Sequence, residues 1–293
     1  MTDSPHVLID AKLHDLGDGF VVRRMLPSMQ RRTVGPFVFF DHIGPVELAP
    51  GHGVDVRPHP HIGLSTMTYL FDGVFTHRDS LGAVQDIRPG AVNWMTAGRG
   101  VVHSERTPEP ERSEGHRVHG VQFWVGLPKD DAEIEPAFTH HPVEDLPEWT
   151  DEAGDAHCRL VAGEAFGHSS PVPVYSRLFC VDLNLRSGAS FLIPDEHLER
   201  AIQVVGGEVE VDGHVLPMHG MLVLKGGVPV RVRASGQARL ILFGGDPLDG
   251  PRFIKWNFVA ATRERIDQAS EDWREGRFDK VPGEIEFIPL PEH

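Results

Sequence analysis

The chain has 293 residues, with 43 Asp and Glu against 28 Lys and Arg, for a formal net charge of −15. So acidic a chain repels a phosphate backbone. The Arg23-Arg24 and Arg31-Arg32 pairs are too short and too interrupted to offset that field, which argues against direct nucleic-acid binding. No apolar run is long enough to cross a bilayer, so no membrane association is expected.

The length suits two domains, and the apolar fraction of 40% is ordinary for packed cores. The 31 glycines and 24 prolines favour many short strands joined by tight turns. Cys158 and Cys180 form no C-x-x-C pattern and read as reduced, partly buried thiols. The start Met1-Thr2-Asp3-Ser4-Pro5-His6 has neither a basic stretch nor an apolar one, so a cytoplasmic protein is expected. Histidine is the outlier at 18 residues, and it is the commonest side-chain ligand of transition metals.

In chain order, Met67-Thr68-Tyr69-Leu70-Phe71 reads as a strand, Asp72-Gly73 as a hairpin turn and Val74-Phe75-Thr76 as the returning strand. Pro89-Gly90 and Gly98-Arg99-Gly100 mark further turns, and Gln122-Phe123-Trp124-Val125 another strand. From Pro128 to Ala156 the chain turns acidic and proline-rich with little strand pattern, which predicts a linker. Beyond it, Leu178-Phe179-Cys180-Val181 is strand-like. Ala201–Val205, Glu208–Val211 and the turn Asp212-Gly213 predict a meander of short strands, followed by Met221–Leu224 and Leu240–Phe243. Thr262 is positioned as the N-cap of a helix whose Ile266, Ala269 and Trp273 share one face, and Gly276 stops it. Two all-β halves follow: an N-terminal domain over 1–135, and a C-terminal domain over 136–293 that includes the helix.

Two segments carry the chemistry. In Arg57-Pro58-His59-Pro60-His61 the two histidines stand at i and i+2, and on a strand such residues point to one face. His103-Ser104-Glu105 repeats the spacing. Facing each other inside a barrel, the pairs would gather three imidazoles and one carboxylate around one ion. That set suits a borderline divalent metal such as iron, copper, nickel, manganese or zinc rather than calcium or magnesium. An isolated His-x-His is weak evidence, since surface histidines often fall so. A second pair forty-odd residues later, bracketed by glycine turns, is what makes it a metal motif.

Gly53, His59-Pro60-His61, Thr66 and Gly73 resemble the first cupin motif, with threonine where many cupins carry a glutamate ligand. Gly98–His103 resembles the second motif without its proline. More specifically, Arg57–Gly63, Thr68-Tyr69, His77-Arg78-Asp79-Ser80, Trp94–Glu105 and the earlier Phe37–Pro45 resemble the pirin family. In the second half, Val161-Ala162-Gly163, Ser170-Pro171-Val172 and Gly244-Gly245-Asp246-Pro247 resemble that family's second cupin domain. The resemblance implies an all-β fold of two jelly-roll-like cupin barrels with a short C-terminal helix. It implies one Fe(II)/Fe(III) per chain, other divalent transition metals being alternatives, held by His59, His61, His103 and Glu105. It further implies a dioxygenase of the quercetin 2,3-dioxygenase type acting on flavonol-like aromatics, with Glu105 as both ligand and catalytic base. The alternative is an iron-dependent redox-sensing regulator that binds a protein partner.

The second half has no such pairs, so no metal is expected there, and the isolated His197 and His214 read as surface loop or turn residues. His42 reads as a structural hydrogen-bonding residue, and His52 as loop. His116 and His119 lack ligand spacing to a carboxylate. Trp94, Met95, Phe123 and Trp124 read as barrel wall, and Gln122 as a minor candidate for the pocket. Whether His77 faces inward is not fixed by strand parity, because Gly63 can introduce a bulge.

Overall fold

The computed structural model describes residues 6–16 and 20–292, so the reading of Met1–Pro5 lies outside the described residues. Strands dominate, and the chain forms two compact units.

The unit that carries the two histidine motifs comprises His14–Val22, Asp41–Val143 and Leu248–His293. One of its sheets has four strands in the order Asp55–His61, Val101–Arg106, Phe75–Asp79 and Val84–Ile87. A facing set runs Ala137–His141, Val92–Thr96, Leu64–Asp72 and His116–Gly126. Leu64–Asp72 is buried along nearly its whole length, as suits a strand in the middle of its sheet with both faces covered. Asp55–His61 contains Pro58 and Pro60, and it lies at a sheet edge, where a residue without an N–H is tolerated.

The other unit comprises Met1–Leu13, Arg23–Phe40 and Glu144–Pro247. Its larger sheet runs Val7–Ile9, Met221–Val223, Glu199–Gly206, Ala238–Gly245, Leu178–Leu185, Ala156–Ala165 and Glu148–Thr150. The smaller one runs Ser190–Ile193, Val230–Ala234, Glu208–Val211 and His214–Pro217. Leu160, Val181, Leu183, Ile202, Val204 and Leu242 fill the core with aliphatic side chains. Cys158 and Cys180 are free and buried; burial holds the Cys158 thiol up at about 12 and Cys180 well above its usual value.

Several expectations are corrected here. By contacts, the two ends of the chain are exchanged between the units. Val7–Ile9 pairs with Met221–Val223 of the second unit, while the C-terminal stretch from Leu248 belongs to the first. Ile62 bridges to Phe258 and shares a core with Ala260, Ile266 and Ala269, so the helix Arg263–Arg274 docks on the histidine-bearing unit. The predicted linker is partly strand. Ala137–His141 pairs with Val92–Thr96, and Glu148–Thr150 with His157–Arg159. Terminal strands of this kind are held by backbone hydrogen bonds and need no apolar alternation to show in the sequence.

The two Asp-Gly turns differ. At Asp212-Gly213 both residues have positive φ (46° and 81°) and Val211 pairs with His214, a two-residue hairpin as expected. Asp72-Gly73 is no hairpin: Leu64–Asp72 pairs with Val92–Thr96 and His116–Gly126, whereas Phe75–Asp79 pairs with Val101–Arg106 and Val84–Ile87. The turn passes the chain from one sheet to the other, since turn chemistry sets local φ but not the partner strand. His197 is buried rather than on the surface, stacked on Phe179 at 4.5 Å, while His214 is exposed as expected.

Candidate metal centre

His59 and His61 lie on the edge strand Asp55–His61, and His103 and Glu105 on its antiparallel neighbour Val101–Arg106. His103 stands directly opposite His59, and a bulge between His103 and Glu105 sets Glu105 against Val56. His59, His61 and His103 are all buried, and their ligand atoms lie within 4.8 Å of one another. The three histidines expected from the motifs are thus brought together.

Their hydrogen bonds decide which nitrogen each presents. His59 donates Nδ1–H to the Arg57 carbonyl at 2.9 Å, and His61 donates Nδ1–H to the Asn257 carbonyl at 3.1 Å. Each therefore keeps Nε2 as a lone-pair donor atom. His61 Nε2 stands 3.1 Å from His103 Nε2. Burial pushes the pKa of His59 down, and burial with the charge of neighbouring imidazoles pushes His61 and His103 well down. Three neutral imidazoles crowded nitrogen to nitrogen are a set that a divalent cation relieves, so the residues present fit a borderline transition metal.

Glu105 is buried beside them, but its carboxylate is not among the atoms grouped within that distance. The Thr68 hydroxyl donates to Oε1 at 3.0 Å and the Gln122 amide to Oε2 at 2.7 Å. The expected four-ligand cluster is therefore three histidines with a carboxylate clamped nearby. Gln122, a minor candidate in the sequence, is one jaw of that clamp. Thr68 is the other, and lay unsuspected inside a matched motif. Thr66 is buried in the wall.

His77 faces inward, its Nδ1 3.3 Å from His103 Nδ1 and its Nε2 2.9 Å from the Asp79 carboxylate. Its stacking on Phe138 at 4.2 Å fixes the ring plane. Trp124 packs edge-on against His61 at 5.2 Å, as a wall residue. His42 and His119 are buried and pair with each other at 2.9 Å, outside the triad, and His116 bonds to Glu111 and Thr107. A cavity of about 440 Å³ lies behind the metal strands, lined by their outward-facing Pro58 and Val102 with Trp273, Phe278 and Phe287. Among the described residues no helix is long and apolar enough to cross a membrane.

The family model described as Pirin matches residues 19–125, and the one described as Pirin C-terminal cupin domain matches residues 180–279. A pirin-like protein of Caulobacter vibrioides is 51% identical over 98% of this chain and 99% of its own length. A crystal structure of quercetin 2,3-dioxygenase from Acinetobacter baumannii superposes with a TM-score of 0.90 at 35% identity, covering 98% of this chain and 96% of that one. A bacterial pirin from Escherichia coli, solved in complex with nickel(II), shares the fold at 19% identity and a TM-score of 0.64, over 83% of this chain and 100% of that one. Two β domains, one carrying a histidine triad on paired strands, and matches that span nearly the whole sequence lead to one conclusion: the chain belongs to the pirin family and is built of two cupin domains.

Proposed function

We propose that the protein is an iron-dependent dioxygenase of the quercetin 2,3-dioxygenase type, acting on flavonol-like aromatics. The observation that carries this reading is the convergence of three neutral imidazoles, with Glu105 beside them, in a chain 35% identical to a protein of known structure named quercetin 2,3-dioxygenase. His59, His61 and His103 would hold the ion, and Glu105 would complete the set on release from one arm of its clamp. When bound, the metal supplies Lewis acidity toward an anionic substrate oxygen and redox capacity toward dioxygen.

The protein's own residues do the rest. Glu105 takes the proton from the substrate hydroxyl. Thr68 and Gln122, donating to opposite oxygens of that carboxylate, fix its position beside the histidines. Burial of the triad excludes bulk water.

The second reading is a regulator whose oxidation state biases a surface toward a protein partner. The 440 Å³ cavity behind the metal strands, lined by Pro58, Val102, Trp273, Phe278 and Phe287, gives such a partner a recess to enter. Anaerobic reconstitution with Fe²⁺ followed by oxygen uptake separates the two. Uptake that depends on quercetin and disappears in His61→Ala establishes the enzyme. No uptake by fully loaded protein rejects it and directs the search to a redox-dependent protein partner.

A further inference from the structure

Behind His103, on the side away from His59 and His61, lie two buried side chains that the dioxygenase chemistry does not use, Asp79 and His77. Asp79 is fully buried, and each of its oxygens is committed. Oδ1 accepts the Leu81 and Ala83 backbone N–H groups at 2.9 and 3.0 Å, and Oδ2 faces His77 Nε2 at 2.9 Å. A carboxylate only accepts, so His77 donates from Nε2, and in the neutral ring Nδ1 is then the acceptor. That acceptor faces His103 Nδ1 at 3.3 Å and competes for the one His103 proton with the bare Nε2 of His61, 3.1 Å from His103 Nε2; a proton held on Nδ1 leaves His103 Nε2 free for a cation.

We propose that Asp79 and His77 are positioning residues that fix the tautomer of His103 through this relay, so that His103 Nε2 is presented unprotonated to the metal. The proposal rests on the reading of His103 as a ligand. His59 and His61 have their Nδ1–H groups held by backbone carbonyls, which cannot reverse polarity. His103 alone of the three depends on side chains, and its tautomer can therefore be inverted by substitution. Elsewhere, the outer partners of ligating histidines contribute 10- to 100-fold in metal affinity.

Asp79→Asn is the sharp test because the asparagine cannot choose its orientation. Its carbonyl oxygen must stay with the two backbone N–H groups, which turns the amide N–H₂ toward His77. His77 then accepts on Nε2 and donates from Nδ1, and His103 is driven to carry its proton on Nε2, the nitrogen the metal needs. The measurement is ¹⁵N chemical shifts of the imidazoles in the metal-free protein at neutral pH. Wild type should show His103 Nε2 and His77 Nδ1 as bare nitrogens, and Asp79→Asn should exchange both assignments. Affinity for Fe²⁺, read by competition with a chromophoric chelator, should fall roughly 10- to 100-fold.

His77→Phe guards against a misfolded Asp79 variant, since phenylalanine preserves the stacking on Phe138. It should leave His103 a mixture of tautomers. A bare His103 Nδ1 in wild type, or unchanged His103 shifts in both variants, overturns the relay. The relay's shifts with undiminished metal binding in His103→Ala would uphold the relay and overturn only the ligand reading.

Discussion

His61 Nδ1 donates to the carbonyl of Asn257, 196 residues further along the chain, at 3.1 Å. The C-terminal stretch is therefore part of the metal centre and more than a covering. Its approach depends on Gly63, which has φ of +66° and where a Cβ would sit 2.1 Å from the Val259 carbonyl oxygen. Gly63→Ala should push the strand Phe258–Ala260 away, free His61 to rotate, and lower metal affinity roughly 10- to 100-fold while far-UV circular dichroism stays near wild type. Chelator competition measures it; unchanged affinity would show that the Asn257 contact does not orient His61.

Removing a ligand should act more severely than removing its support. His61→Ala and His103→Ala should abolish stoichiometric iron, and with it the rise in melting temperature that bound metal gives wild type, because a ligand that binds only the folded state stabilises it. Both barrels should remain folded, since the ligands sit on a preformed sheet. Glu105→Gln should keep most of the metal and lose turnover, as the amide cannot take a proton. Elemental analysis alongside oxygen uptake checks all three, and full activity in Glu105→Gln would remove that residue from the base role.

The i, i+2 spacing made His59, His61 and His103 legible, because strand geometry alone puts such pairs on one face. Glu105 was read from the same spacing as a fourth ligand and the base, but its hold by Thr68 and Gln122 was not legible. Those residues come from two other strands, and only the register of Gln122 against Thr68 brings them together. His77 and Asp79 had the same i, i+2 pattern, yet the expected hairpin at Asp72-Gly73 hid which sheet they joined. Asn257 contributes a backbone carbonyl, which no side-chain motif records. The β class and the C-terminal helix were readable from turns and period. The exchange of chain ends was not, because it depends on long-range pairing.

The depressed histidines make the metal-free protein acid-sensitive, and the sign follows from proton counting. In the folded chain His59, His61 and His103 lie below their usual value, chiefly through burial. In the unfolded chain each protonates near pH 6.5. Below that pH the unfolded state holds more protons, so stability falls as pH falls, by about 1.4 kcal/mol per pH unit for each histidine until its folded form also protonates. His103→Asn should reduce this slope by about half a proton at pH 6.5, rising toward about one at pH 5.5. Urea unfolding at several pH values measures the difference, and parallel curves for the two proteins would refute the buried neutral state of His103.

The two Asp-Gly turns should respond unequally to the same substitution. At Gly213, φ is +81° and a Cβ would meet nothing within 4 Å. Alanine there bears only the strain of a left-handed backbone, about 1–2 kcal/mol. At Gly73, φ is +90°, and a Cβ would in addition stand 2.6 Å from the Arg117 carbonyl oxygen and 3.3 Å from Val118 Cα. Backbone on that side cannot yield as a flexible side chain would, so Gly73→Ala should cost distinctly more in urea unfolding. The functional consequence should differ as well. Gly73 joins the strand bearing Thr68, which holds Glu105, to the strand bearing His77 and Asp79, which face His103. Displacing it should weaken metal binding, whereas Gly213→Ala, in the unit without the triad, should leave metal affinity at the wild-type value. Equal losses of stability, or equal metal affinities in the two variants, would mean that the Gly73 crossing does not set the geometry of the site.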